Sequence, residues 1–213
     1  MTELKLDISV SLDGYVAGPD TPTLENPLGS RGEELHEWVL STAAWRESHG
    51  REGGDADADS DLVAEHVATI GATIMGRKMF SGGSGDWADD PNGTGWWGDE
   101  PPFHHEVFVL THHEREPLEL TGTTFHFITD GIQPALDQAR EAAGDKAVAI
   151  AGGADVAQQY LNAGLVNQVR LHVAPVIFGS GTSLLAGINP TLRWRQIDAR
   201  EGNGVTHVTF RIS

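Results

Sequence analysis

Between Ala147 and Leu161 the chain reads AVAIAGGADVAQQYL, and this stretch constrains the fold more than any other. An apolar strand pattern, Val148 to Ala151, runs into Gly152 and Gly153. Val156, Ala157, Tyr160 and Leu161 then recur at helical spacing, so a helix can pack back on a sheet. Glycines between a strand and a helix allow close approach of another group. The free N–H groups at the helix start carry partial positive charge, which suits a phosphate. An ordinary tight turn uses the same residues, so the pattern alone leaves both readings open. A second apolar strand follows and ends in Gly179-Ser180-Gly181.

Strand and helix patterns alternate elsewhere too. Leu4, Leu6, Ile8 and Val10 alternate with polar residues, and Ser11 to Gly14 signals a turn. Residues 19–31 have loop composition. Leu35, Trp38, Val39, Thr42 and Trp45 predict one face of a helix, and Val63, Val67 and Ile70 one side of another. Ala72 to Met75 is a short strand ending at Gly76-Arg77-Lys78, a second strand-to-glycine junction with two cations beside it. Strands are predicted at Val107–Leu110 and Phe125–Thr129, then a helix capped by Asp130 and running through Ala143, with Pro134 in its first turn. Leu192–Ile197 and Val205–Ile212 read as a hairpin around Glu201-Gly202-Asn203-Gly204. The prediction is an α/β fold: a mostly parallel central sheet of about eight strands flanked by helices, with a C-terminal antiparallel hairpin. Ligands in such sheets sit beyond the carboxyl ends of the strands. Those ends are Asp13, Gly76-Arg77, Thr111-His112 and Gly152-Gly153.

Composition excludes several function classes. The net charge is −17, from 31 acidic and 14 basic residues, which argues against nucleic acid and anionic membranes as partners. Without cysteine there are no disulfides, thiolate metal sites or cysteine nucleophiles. No apolar run is long enough to span a bilayer, and the N-terminal pattern lacks a signal peptide's layout, so a cytoplasmic location is expected.

Three clusters invite other readings. Asp55, Asp57, Asp59 and Asp61 alternate as in a calcium loop, but Ser60 and His66 stand where an EF-hand needs glycine and glutamate. A solvated linker capping the next helix is expected instead. His104-His105 and His112-His113 are adjacent pairs, which strand geometry points to opposite faces, and no zinc spacing appears, so no metal is expected. Trp87, Trp96, Trp97 and Phe103 lie in a long aperiodic stretch, 82–102 and just beyond. They could form a lid or fold back on the core.

Four segments together resemble the dihydrofolate reductase superfamily, in particular its branch similar to the RibD C-terminal reductase domain. They are ISVSLDGYVAG (8–18), GATIMGRKMF (71–80), VFVLTHHER (107–115) and AIAGGADVAQQYL through APVIFGSGTSLL. The resemblance implies a single domain over 1–213, with an inserted helix and acidic linker at about 19–61. It implies a homodimer and an NADPH-dependent reductase that transfers hydride to a small polar, heterocyclic substrate. By position, Gly76, Arg77 and Lys78 would meet the cofactor's phosphates. Thr111 and His112 would lie near the adenosine ribose and its extra phosphate. Gly152, Gly153, Ala154 and Asp155 would wrap the pyrophosphate, with Val10 and Ala17 against the nicotinamide. Asp13 is the candidate catalytic residue, for a substrate hydrogen bond or proton delivery, though an aspartate before Gly14 also suits a turn. Met79 in place of a hydroxyl residue, and no evident pterin-gripping carboxylate, favour the RibD-like branch, whose substrate is a ribosyl-aminopyrimidine. A ligand-binding protein that keeps the fold without catalysis is the alternative.

Overall fold

A computed structural model describes residues 2–20, 23, 26–83 and 85–213. In chain order the elements are β1 (Leu4–Ser11), β2 (Tyr15–Ala17), α1 (Glu37–Ser41), α2 (Ala43–Ser48), α3 (Ala58–Thr69), β3 (Ile70–Gly76) and α4 (Arg77–Ser81). Then come β4 (Glu106–Leu110), β5 (Leu118–Leu120), β6 (Thr123–Ile128), α5 (Ile132–Ala143), β7 (Ala147–Gly152) and α6 (Ala154–Asn162). The chain ends with β8 (Gln168–Ala174), β9 (Thr182–Ser183), β10 (Trp194–Glu201) and β11 (Thr206–Ile212). Nine strands form one sheet in the order β10-β11-β8-β1-β7-β3-β4-β6-β5, and β2 pairs with β9 apart from it. The expected mostly parallel sheet and terminal hairpin are therefore present. The strands missed in the sequence, β2, β5 and β9, have three residues or fewer, too few for a period to register.

The chain divides into two compact units, residues 1–6 with 70–166, and 7–69 with 167–213. In the first, β7 pairs in parallel with β1 and β3, β3 with β4, and β4 with β6. Parallel strands are covered on both faces, and β3 and β7 are apolar and buried along most of their length for that reason. One face carries Met75, Phe80, Val107, Val109 and Phe125 as a core cluster. On this face Trp87, Trp97 and Phe103 fold back on the cluster, and Trp96 donates its indole N–H to the Met79 carbonyl at 2.9 Å. The aromatic stretch is thus core packing and not a lid.

α5 packs on β3, β4 and β7 through buried Ala135, Leu136, Ala139 and Ala143, and α6 packs on β7 and β3. The two helices are joined where the Tyr160 hydroxyl donates to the Ile132 carbonyl at 2.7 Å. The residue at the N-cap of α5 is Gly131, at φ 95°, and not Asp130, and no side chain caps this end. Glycine reaches that backbone angle without a Cβ clash.

In the second unit β11 pairs antiparallel with β8 and β10, and a register shift between Gln196 and Asp198 leaves Ile197 bulged. The helix expected over Leu35 to Trp45 is broken. Thr42 is extended (φ −72°, ψ 144°), and its side chain accepts from the Trp45 N–H, so the helix stops and restarts as α2. Asp57 caps α3, as a linker aspartate should, accepting from the N–H groups of Asp59 and Ser60. Two expectations fail there. Val67 is exposed and Ile70 opens β3. Asp59 is buried rather than solvated.

Replacing Tyr160 by Phe removes the bond between α6 and α5. The expected cost is about 1 kcal/mol, read as a lower urea midpoint at unchanged slope. An unchanged midpoint would mean that this bond adds nothing beyond what water supplies.

Candidate functional site

The parallel register of three neighbouring strands creates the candidate site. Met75 lies opposite Gly152 in the β3–β7 pair, and Gly76 opposite Leu110 in the β3–β4 pair. Three of the four strand ends named from sequence, Gly152-Gly153, Gly76-Arg77 and Thr111-His112, therefore come out side by side at the carboxyl edge of the sheet.

The glycines there have physical reasons. A Cβ on Gly76 would lie 3.0 Å from Val156 Cγ2, so a side chain there would crowd α6 where it packs over the end of β3. Gly152 sits at φ 129°, a conformation reserved for glycine, and its peptide bond to Gly153 is cis. Gly153 differs: a Cβ there would meet nothing within 4 Å. The space in front of Gly153 is open, and α6 begins at this residue with no side-chain cap. Its first N–H groups are thus free to meet an anion, and the nine-residue helix presents its positive end to them. Ala154 is buried. Asp155 is exposed, and its carboxylate accepts from Gln159 Nε2 at 2.9 Å, which leaves its backbone N–H for the open side.

Arg77 is placed differently from a simple phosphate fork. Its guanidinium is 7% exposed, with Nη2 2.6 Å from Asp90 Oδ2, Nη1 donating to Ser81 Oγ at 2.9 Å, and Cζ 3.1 Å above the centre of the Trp87 ring. The Nη2 contact is an ion pair lying off the N–H direction, so Nη2 and Nε make no hydrogen bond. Burial and the nearby Arg115 lower the Arg77 pKa against the opposing pull of Asp90, with burial the largest cause. Arg115 also stacks on Trp87, as well as on Phe127, and donates to the Gly93 carbonyl. Lys78 and His112, next to these strand ends in sequence, are both exposed. Thr111 is buried, donates its N–H to the Ile128 carbonyl at 3.0 Å, and accepts from the His113 N–H on Oγ1.

Val10, Ala17 and Asp13 belong to the other unit. Val10 and Ala17 are both buried, Ala17 within the β2–β9 pair. Asp13 accepts from Ser11 Oγ at 2.6 Å, from the Gly179 N–H at 2.7 Å and from the Phe178 N–H at 3.2 Å. The Ser11 bond is the largest cause and lowers its pKa; desolvation opposes it, and the Gly179 and Phe178 backbone bonds lower it further. A carboxylate held ionised suits an anchor for the 178–179 turn, and is the reverse of what proton delivery near neutral pH requires.

The partners of Arg77 escaped the sequence reading. Ser81 follows it at helical i, i+4 spacing and could have been found. Asp90, which sits in an irregular loop, gave no such signal.

Residues 3–208 match the family described as the RibD C-terminal domain. The chain belongs to this family. Within the wider set of relatives, a Bacillus subtilis (strain 168) protein named "Uncharacterized protein YyaP" is 24% identical over 96% of this chain and 92% of its own length. The Thermotoga maritima diaminohydroxyphosphoribosylaminopyrimidine deaminase/5-amino-6-(5-phosphoribosylamino)uracil reductase superposes with a TM-score of 0.59 at 14% identity, covering 99% of this chain and 56% of that one. Enterococcus faecalis dihydrofolate reductase, complexed with NADP(H) and RAB-propyl, superposes with a TM-score of 0.51 at 15% identity over 99% and 96% of the two chains. This RibD C-terminal domain protein thus has a reductase-like fold. Among its described residues no helix is long and apolar enough to cross a membrane.

The Arg77–Asp90 pair is buried on both sides, with Asp90 only 1% exposed. Arg77→Ala should therefore destabilise the protein by about 3 kcal/mol, because it strands a buried carboxylate. Adding Asp90→Asn should recover part of that loss in urea unfolding. A fully stable Arg77→Ala variant would show that the guanidinium is not structural.

Proposed function

We propose that the protein is an NADPH-dependent reductase acting on a small polar heterocycle, of the ribosyl-aminopyrimidine class named for the Thermotoga relative. The observation that carries this reading is the open, uncapped helix start at Gly153 beside the bare backbone of Gly76. That arrangement fits a dinucleotide's phosphates, because the space in front of Gly153 is what a side chain would fill. Bound there, NADPH would supply the hydride chemistry, while the protein contributes position and charge.

The roles of the residues follow from the geometry. The N–H groups of Ala154 and Asp155 at the start of α6 meet the pyrophosphate. Gly76 lets β3 pack closely under α6 and so sets the position of that helix start. Lys78 and His112, both exposed at neighbouring strand ends, favour the extra phosphate of NADPH over NADH, Lys78 as a cation against the overall −17 and His112 as a hydrogen-bond donor. Arg77 acts mainly through its buried pair with Asp90, which fixes α4 and so the turn at Gly76. Asp13 orders the turn at 178–179 and is not the proton donor. The locked state of Asp13 favours one second reading, a nucleotide-binding protein without turnover. It differs from the first in that NADPH would bind but no aminopyrimidine or pterin would consume it.

Tryptophan fluorescence titration tests the proposal. NADPH should bind at least tenfold more tightly than NADH. Gly153→Val should abolish both titrations while the circular dichroism and unfolding midpoint stay close to those of the parent. Unchanged NADPH affinity in a folded Gly153→Val protein would rule out this cradle.

A further inference from the structure

A line of four polar side chains, three of them buried and Asp7 partly so, crosses the second unit, far apart in sequence and unrelated to the glycine cradle. Asp7 on β1 accepts from His172 Nε2 on β8. His172 Nδ1 lies 2.7 Å from His207 Nδ1 on β11, and His207 Nε2 lies 3.0 Å from Asp59 Oδ1 on α3. Both imidazoles are about 95% buried or more, and Trp38 of α1 packs on both, with ring centroids 4.5 and 5.0 Å away. The Trp38 indole is itself fixed by a bond to Ser9 Oγ. Among the described residues no group of three or more His, Cys, Asp or Glu could hold a metal ion, so the line needs an explanation in protons.

Proton counting supplies one. The line has three contacts: carboxylate to Nε2, Nδ1 to Nδ1, and Nε2 to carboxylate. Each needs one proton between its two heavy atoms. Two neutral imidazoles bring two protons, which leaves one contact empty. Full satisfaction, the rule for buried polar groups, takes three. We propose that Asp7, His172, His207 and Asp59 hold one excess proton and form an acid-sensitive latch that ties α3 to β1, β8 and β11. The line then carries a net charge of −1, two carboxylates and one imidazolium, balanced by Arg170, whose Nη1 lies 3.4 Å from Asp7 Oδ2.

The surrounding groups determine where a further proton can go. From α3, His66 Nδ1 lies 3.1 Å from Asp7 Oδ2, and Glu65 lies 3.6 Å from Arg170. From β11, Thr209 Oγ1 accepts from Arg170 Nε. From the hairpin, the Asn203 N–H donates to Asp59 Oδ2 at 2.8 Å. His36, just before α1, has its pKa lowered chiefly by burial and also by the charge on His172. Burial would raise the Asp7 pKa, but His172 and His66 outweigh it and hold the carboxyl far below its ordinary value. Burial lowers the His207 pKa despite the opposing pull of Asp59.

A second added proton places N–H donors on both Nδ1 atoms, 2.7 Å apart and shielded from water. The contact then becomes repulsive, and the latch opens. The sign follows from proton uptake. Below the ordinary imidazole pKa of about 6.5, the unfolded chain protonates both imidazoles while the folded one holds a single excess proton. The unfolded state then binds one proton more, so stability is lost as pH falls below that value; above it the folded line keeps a proton that the unfolded chain has released, so stability also declines as pH rises through the titration of that excess proton.

Nitrogen-15 NMR of the imidazoles in the full-length protein, with urea unfolding from pH 7.5 to 4.5, tests the latch. At pH 7 one of the two rings should carry protons on both nitrogens and the other on Nε2 only. Below pH 6.5 this pair should raise the unfolding constant about tenfold per pH unit. His207→Gln keeps an N–H for Asp59 and an acceptor for His172 while removing one titrating ring. Its acid dependence should be shallower by that factor. Two neutral rings at pH 7, or a His207→Gln protein as acid-sensitive as the parent, would overturn the proposal. If His207→Gln does not fold, the ring protonation states decide alone.

Discussion

Everything at the candidate site depends on the parallel pairing of β7, β3 and β4. Parallel strands end at the same edge, and their register here aligns Met75 with Gly152 and Gly76 with Leu110. That pairing holds only because both faces are covered, by α5 and α6 on one side and by the Phe80 and Phe125 cluster with its tryptophans on the other. Loss of either cover would expose nearly continuous apolar strands. The open helix start at Gly153 is thus a product of the core rather than a loop added to it.

The two units spend their buried charge differently. In the first, one guanidinium and one carboxylate, Arg77 and Asp90, are closed over by Trp87. Such a pair adds little net stability, because desolvation offsets the attraction, but its geometry is costly to break. In the second, charge is spread over a line of carboxylates and imidazoles whose balance depends on a titrating proton. The first arrangement is a single direct ion pair, and the second changes with acidity.

The regular part of this fold was legible in sequence. The strands at 70–76 and 147–152 are apolar runs that stop at glycine, and α6 keeps helical spacing, so each element declares itself locally. The terminal hairpin was legible for the same reason. The break at Thr42 was not, since the apolar spacing continues through it and only the threonine's bond to the Trp45 N–H interrupts the helix. The site was half legible. The glycines were found by position, but the engagement of Arg77 depends on an aspartate in an aperiodic loop. Asp59 looked like one more acid in a solvated linker because its partner His207 lies 148 residues away. Long-range polar pairing leaves no period in a sequence.

The most direct measurement is the amide NMR spectrum of the nitrogen-15-labelled protein as NADPH is added. The expected result is that the largest shifts fall on Gly76, Gly153, Ala154 and Asp155, with smaller ones at Lys78 and His112. Saturation with these amides unmoved, or no binding by a folded protein, would contradict the assignment of the strand ends as a nucleotide cradle.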